Sequence, residues 1–61
     1  MSILEALGLF INYCNRNLGR DPRITNRTFE DGCERIKRSA GNRFYHCRTV
    51  NDVLEEIDFP N

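Results

Sequence analysis

The chain has 61 residues, of which nine are Lys or Arg, nine are Asp or Glu, one is His and three are Cys, and 39% are hydrophobic. At this length a compact fold buries only about 60% of the surface of the unfolded chain, so a lone copy is marginally stable. A disulfide, a metal or a second copy is therefore expected to support it. We predict a single domain over residues 1–61 and no membrane span, because the longest apolar stretch is far short of the about 20 residues that cross a bilayer.

The first predicted element is an amphipathic helix over residues 2–18, with Ser2 as its N-cap. Its apolar side chains recur every three or four residues, as one helix face requires, at Leu4, Leu7, Ile11, Cys14 and Leu18. A second apolar face lies nearly opposite and includes Leu9 and Tyr13. This face either packs against the rest of the chain or binds another molecule. The candidates for a contact with another protein are Leu9, Phe10 and Tyr13, because aromatic and large aliphatic side chains dominate interface energetics.

The second predicted helix covers residues 28–40. Its apolar face consists of Phe29, Cys33 and Ile36. Thr28 and Asp31 resemble a capping box, and acidic residues precede basic ones along the segment, which suits the helix dipole. Gly32 inside the helix costs up to about 1 kcal/mol relative to Ala. We therefore expect another group to pack closely against Gly32, or the helix to be irregular there.

The third predicted helix covers residues 50–57, and Thr49 with Asp52 forms its capping pattern. Its apolar face consists of Val53, Leu54 and Ile57. Residues 43–48, before it, have the composition of a short extended segment or strand.

The predicted fold is mainly α. It is a small three-helix domain with one shared core and a short extended or β segment near residues 43–48. The alternative is an α+β fold, in which a two-stranded ribbon pairs the region near Ile24 with residues 44–47.

The zero net charge conceals a strong segregation of charges along the chain. Residues 16–48 hold nine basic and four acidic residues, a net charge of +5, whereas residues 49–61 hold four acidic residues and no basic one. Helix three either folds back and neutralises the basic segment, or leaves it free for an acidic protein surface or for nucleic acid. The candidate nucleic-acid contacts are Arg35, Lys37, Arg38, Arg43 and Arg48.

The residues that carry chemistry in other proteins form no recognisable site here. His46 and Cys47 are adjacent, whereas structural zinc sites present paired ligands two to four residues apart, so we expect no metal. Cys14 and Cys33 lie on predicted apolar faces, where a free Cys packs as a small hydrophobe. With a single His and no room for a substrate-sized pocket, we expect no catalytic residue, no cofactor and no small-molecule substrate.

The sequence therefore predicts a small non-catalytic regulatory or accessory protein that binds another protein, with a homodimer through helix one as one form of that contact. The alternative is a small DNA-binding transcriptional or recombination regulator that uses the Arg-rich helix and the segment after it. Three cysteines match no disulfide framework and the first residues lack the features of a secretory signal, so we expect a reduced, cytoplasmic setting.

Overall fold

The computed structural model describes residues 1–59 and shows a mainly helical chain. Helix α1 spans Ile3–Asn17, α2 spans Asn26–Arg38 and α3 spans Val50–Glu56, and a 3-10 helix at Gly41–Phe44 precedes α3. The three predicted helices and the mainly α class are thus confirmed. The last two residues of the predicted domain, Pro60 and Asn61, lie outside the described residues. Within residues 1–59, no helix has the length and apolar character needed to cross a membrane.

The helix starts are determined by side-chain caps. Ser2 accepts a hydrogen bond from the backbone N–H of Glu5 at 3.1 Å, as expected for the N-cap of α1. Helix α2 spans residues 26–38 rather than the predicted 28–40, because Thr25 is its N-cap. The Thr25 hydroxyl accepts from the N–H of Thr28 at 3.2 Å, and the Thr28 hydroxyl accepts from the N–H of Thr25 at 2.9 Å. Thr28 is therefore the third residue of this helix and not its cap.

The predicted cap of α3 is confirmed. The Thr49 hydroxyl accepts from the N–H of Asp52 at 3.2 Å. The carboxylate of Asp52 accepts from the N–H groups of Arg48 and Thr49 at 2.9 and 3.0 Å. These hydrogen bonds lower the pKa of Asp52 because they stabilise its charged form, and the one from Arg48 has the largest effect.

The extended segment predicted for residues 43–48 is wrong, and so is the two-stranded ribbon, because residues 1–59 contain no strand. The N–H of Arg43 donates to the carbonyl of Ala40, and the N–H of Cys47 donates to the carbonyl of Phe44, both at 3.0 Å. Such tight turns bring side chains three residues apart to the same side. Phe44 and Cys47 are accordingly both buried, whereas Tyr45 is 81% exposed. In a strand, residues 44 and 47 would point to opposite faces.

Helix α1 is the centre of the fold, because α2, the 3-10 helix and α3 all contact it. Every helix contributes to the buried core, which consists of Ala6, Phe10, Cys14, Ile24, Ile36, Phe44, Cys47, Val53, Ile57 and Phe59. Side chains that are half-buried against this core include Leu7, Leu9, Tyr13, Phe29, Cys33 and Leu54. The predicted core faces of α2 and α3 are thus at least partly enclosed.

The predicted core face of α1 is confirmed at Cys14, which is buried, and in part at Leu7, which packs against the core, but it is wrong at Leu4. Leu4 and Leu18 are 79% and 69% exposed, and the buried line of the helix is Ala6, Phe10 and Cys14. Helix α1 packs against α2 on one side and α3 on another, so its buried line lies between the two apolar faces recognised in the sequence. One edge of the first face is consequently left outside.

Phe10 packs closely against Gly32 in the core. A Cβ at position 32 would lie against Cζ of Phe10 and only 2.7 Å from Cε1, so the ring occupies the space that any larger residue needs. The Phe10 ring stacks on Phe29 with a centroid distance of 6.1 Å and meets Phe59 edge-on at 5.5 Å. The expected close packing at Gly32 is therefore confirmed.

Gly32→Ala should destabilise the fold by about 1–3 kcal/mol, because the added methyl group overlaps the enclosed Phe10 ring. Gly8→Ala is the matched control. Position 8 also lies inside a helix, but a Cβ there meets nothing within 4 Å, so this change should stabilise by about 0.5–1 kcal/mol. Urea unfolding at low protein concentration measures both. Equal effects of the two substitutions would contradict the role of Phe10.

Candidate functional site

The three residues predicted for a protein contact do not form one exposed patch. Phe10 has no exposed surface, so its prediction as a contact residue is wrong: its ring is enclosed by α2 and by Phe59. Leu9 and Tyr13 are half-buried against the core. The Tyr13 hydroxyl also accepts a hydrogen bond from Arg23 at 3.1 Å. Leu9 and Tyr13 thus leave only part of their surface for another molecule.

Arg23 joins Tyr13 to Asp21. Its Nε and Nη2 atoms donate to the Asp21 carboxylate at 2.9 and 2.6 Å, and the backbone N–H of Arg23 donates to the same carboxylate at 2.9 Å. These hydrogen bonds from Arg23 hold the pKa of Asp21 down at about 2, because they favour the charged carboxylate. The group fixes the connection between α1 and α2 against the side of α1 that carries Tyr13.

A groove lies on the opposite side of α1, between α1 and α2, with a volume of about 690 Å³. We call it the α1–α2 groove. Four apolar side chains and four charged ones line it: Leu7, Ile11, Phe29 and Cys33, and Glu30, Glu34, Lys37 and Arg38. Leu4 precedes Leu7 by three residues, so it continues the apolar side of the groove along α1. Apolar side chains beside a row of charged ones are typical of a surface that binds a protein.

The charged residues of the groove have an ordered arrangement. All four belong to α2, with Glu30 and Glu34 before Lys37 and Arg38 along the helix. Arg38 pairs with Glu34 at 2.6 Å, and both side chains are mainly exposed, so this pair contributes little to stability. One end of the groove is therefore acidic and the other basic.

The five candidate nucleic-acid residues are divided between different surfaces. Arg35, Arg38 and Arg43 line one depression of about 350 Å³, together with Asp58. Lys37 lies at the groove instead. The side chain of Arg48 is exposed, and its backbone N–H donates to Asp52.

Two of these arginines bind the end of α3. Arg35 donates to the carbonyl oxygens of Ile57 and Asp58 at 2.7 and 3.0 Å. Arg43 donates to the carboxylate and the carbonyl of Glu56 at 2.7 and 3.1 Å. Cationic side chains suit the negative end of a helix. These contacts favour the interpretation in which the acidic third helix neutralises part of the basic segment within the molecule.

The cysteines and the histidine are not arranged as a reactive group. His46 is exposed, and its Nε2 atom lies 3.4 Å from the Glu56 carboxylate, whereas Cys47 is buried. Burial raises the pKa of the thiols of Cys14, Cys33 and Cys47, which lowers their reactive thiolate fraction at neutral pH. Across residues 1–59, no three His, Cys, Asp or Glu side chains are grouped so that they could hold a metal ion.

Comparisons with protein-family models, with curated proteins and with solved structures give no match to this chain.

The α1–α2 groove was missed in the sequence because the residues that border it were assigned to the core. Leu4, Leu7 and Ile11 follow one another at intervals of three and four, which keeps them on one face of a helix. A core face and an exposed apolar edge have the same spacing, so periodicity does not separate them. The signal was the amount of apolar surface: α1 carries more than two short helices can cover.

Asp21 should support the fold only when it is ionised. Because its pKa in the folded chain is about 2, its contribution is complete above the ordinary value of about 4 and is lost as the pH falls from about 4 to 2. We expect Asp21→Asn to be less stable than the wild type at pH 6, with a difference that closes towards pH 2. In the Arg23→Gln variant, the free energy of unfolding should lack the pH dependence that ionisation of Asp21 causes in the wild type. Urea unfolding across this range measures it, and a constant difference would contradict the ion pair.

The chain should not bind mixed-sequence duplex DNA at low salt. Its net charge is zero, and Arg35, Arg38 and Arg43 already donate to acceptors within the chain. A fluorescence titration at about 50 mM and about 200 mM salt tests this, because phosphate contacts weaken steeply as salt rises. Tight binding at the lower salt that collapses at the higher would restore the DNA-binding alternative.

Proposed function

We propose that this protein acts as a small non-catalytic regulatory or accessory protein, by binding another protein in the α1–α2 groove. The observation that carries the proposal is the groove itself, with four partly exposed apolar side chains beside the charged residues of α2. Leu4, 79% exposed, extends it along α1. Leaving such a surface in water is unfavourable, and contact with a partner would remove it from water.

The groove suits a helical partner. It lies between α1 and α2, and Leu4, Leu7 and Ile11 recur along α1 with the spacing by which helices pack on one another. Helix-in-groove recognition uses apolar anchors at this spacing, with polar residues at the rim for specificity. The acidic and basic ends of the groove would fix the direction in which the partner helix lies.

The non-catalytic part of the proposal is supported by the reactive groups of the chain. The only His is exposed and lies beside Glu56. The thiols have raised pKa values, which is the opposite of an activated cysteine. A reduced, cytoplasmic setting belongs to the same proposal, because Cys14, Cys33 and Cys47 are all unpaired.

Ile11→Arg should remove partner binding, because it places a charge among the apolar side chains of the groove. Leu18→Arg is the matched control: it also replaces an aliphatic residue of the same helix edge, but outside the groove lining. We expect a protein captured from cells that produce this chain to be retained by the wild type and by Leu18→Arg, and to be lost with Ile11→Arg.

Circular dichroism and thermal unfolding establish that both variants remain folded. Retention of the same partner by folded Ile11→Arg would contradict binding in the groove. Loss of the partner with Leu18→Arg alone would move the contact to the end of α1.

A further inference from the structure

We infer that the partner in the α1–α2 groove is a second copy of this chain, docked face to face about a twofold axis perpendicular to α1 and α2. Each of the two helices then lies antiparallel to its own copy. This inference rests on the proposed function, because it names the occupant of the same groove. Three features of the surface lead to it: the order of its charges, the position of Gly8 and the area available.

The acidic end of the groove in one copy meets the basic end in the other when the two α2 helices are antiparallel. A twofold interface brings residue i of one copy to residue j of the other, and j to i. In the antiparallel arrangement Glu30, near the start of α2, faces Lys37, near its end, in the second copy. Glu34 then lies near the axis beside Glu34 of the second copy, and each of these carboxylates is paired with Arg38 of its own chain at 2.6 Å. Opposite charges then meet at both ends of the interface. A parallel α2 pair would place Glu30 against Glu30, which is unfavourable.

Gly8 fits the same arrangement. A glycine inside a helix costs about 1 kcal/mol relative to Ala, and nothing in one copy requires it here, since a Cβ at position 8 would meet nothing within 4 Å. When two antiparallel α1 helices pair about a point between residues 7 and 8, Leu7 faces Gly8 of the second copy. Leu4 then faces Ile11. The missing side chain at position 8 leaves space for the opposing leucine.

The available area is sufficient for a weak dimer. Helix α1 has 15 residues and is therefore about 22 Å long, and two packed helices together are about 20 Å wide. The projected area of this face is about 440 Å² per copy, below the about 600 Å² per copy at which standard interfaces begin, so the contact belongs to the weak, transient class. The whole chain exposes only 4409 Å², so the contact would cover a substantial part of its surface. We therefore expect association in the micromolar range.

Sedimentation equilibrium from about 10 μM to about 1 mM tests the dimer directly. We expect the mass to rise from 7.2 kDa towards twice that value over this range. Leu4→Arg and Ile11→Arg should remain monomeric throughout. Leu18→Arg should dimerise as the wild type does, because residue 18 lies beyond the overlap of the two α1 helices.

A charge exchange tests the antiparallel direction. Glu30→Lys alone and Lys37→Glu alone should each raise the dimer dissociation constant by about fivefold or more, because like charges meet twice in each dimer. The double variant, with Lys at position 30 and Glu at position 37, should restore the constant to within about twofold of the wild type. Raising the salt concentration should reduce the effect of each single change.

The outcomes separate this inference from the proposed function. A wild-type chain that is still monomeric at the highest concentration overturns the second copy as partner, while capture of a different protein in an Ile11-dependent manner would uphold the groove as a binding site. A dimer that Leu4→Arg does not affect, or a double charge variant no better than the single ones, overturns the antiparallel arrangement. If the wild-type chain stays monomeric and Ile11→Arg does not affect capture of a partner protein, both proposals are overturned.

Discussion

The contact of the Phe10 ring with the backbone of Gly32 is the constraint on which the rest of this structure depends. It brings α1 close to α2, and it fixes the rotation of α1 about its own axis, since the ring must point at residue 32. Phe29 and Phe59 then complete the enclosure of the ring. Interiors are packed nearly as tightly as crystals, so this rotation has little freedom once the ring is in place. The same rotation that buries Phe10 turns Leu4 to the outside.

The helices and two of their caps could be predicted from the sequence because those signals are local. Spacing, capping residues and Gly32 are each read within a few neighbouring residues, and the structure agrees with them except at the start of α2, where Thr25 and not Thr28 is the cap. The rotation of α1 could not be predicted, because its two apolar faces have similar spacing and the choice depends on what α2 and α3 bring to it. The prediction of an extended segment at residues 43–48 failed for a related reason. Phe44 is a residue type that favours strands, but its burial together with Cys47 requires a tight turn.

The distribution of charge reflects the same separation of inside and outside. Arg35 and Arg43 are directed to the end of α3, where they bind carbonyl groups and Glu56. The acidic tail recognised in the sequence therefore has an internal partner. The charges of α2 that remain at the groove are few and ordered, acidic first and basic last. Charges in such an order specify the direction and register of a bound helix more than its affinity. A short apolar surface by itself specifies neither direction nor register.

In a chain of this size, stability and association depend on the same surface. A lone copy buries a smaller fraction of its surface than a larger domain does, so covering the groove would remove apolar surface from water and would stabilise the helices that form it. Binding to the folded chain raises its stability by mass action, and the effect grows with partner concentration. If two copies cover each other's grooves, a different protein can bind a groove only by displacing the second copy. Self-association would then set the concentration below which the chain is open to other partners, and the same few residues would determine both contacts.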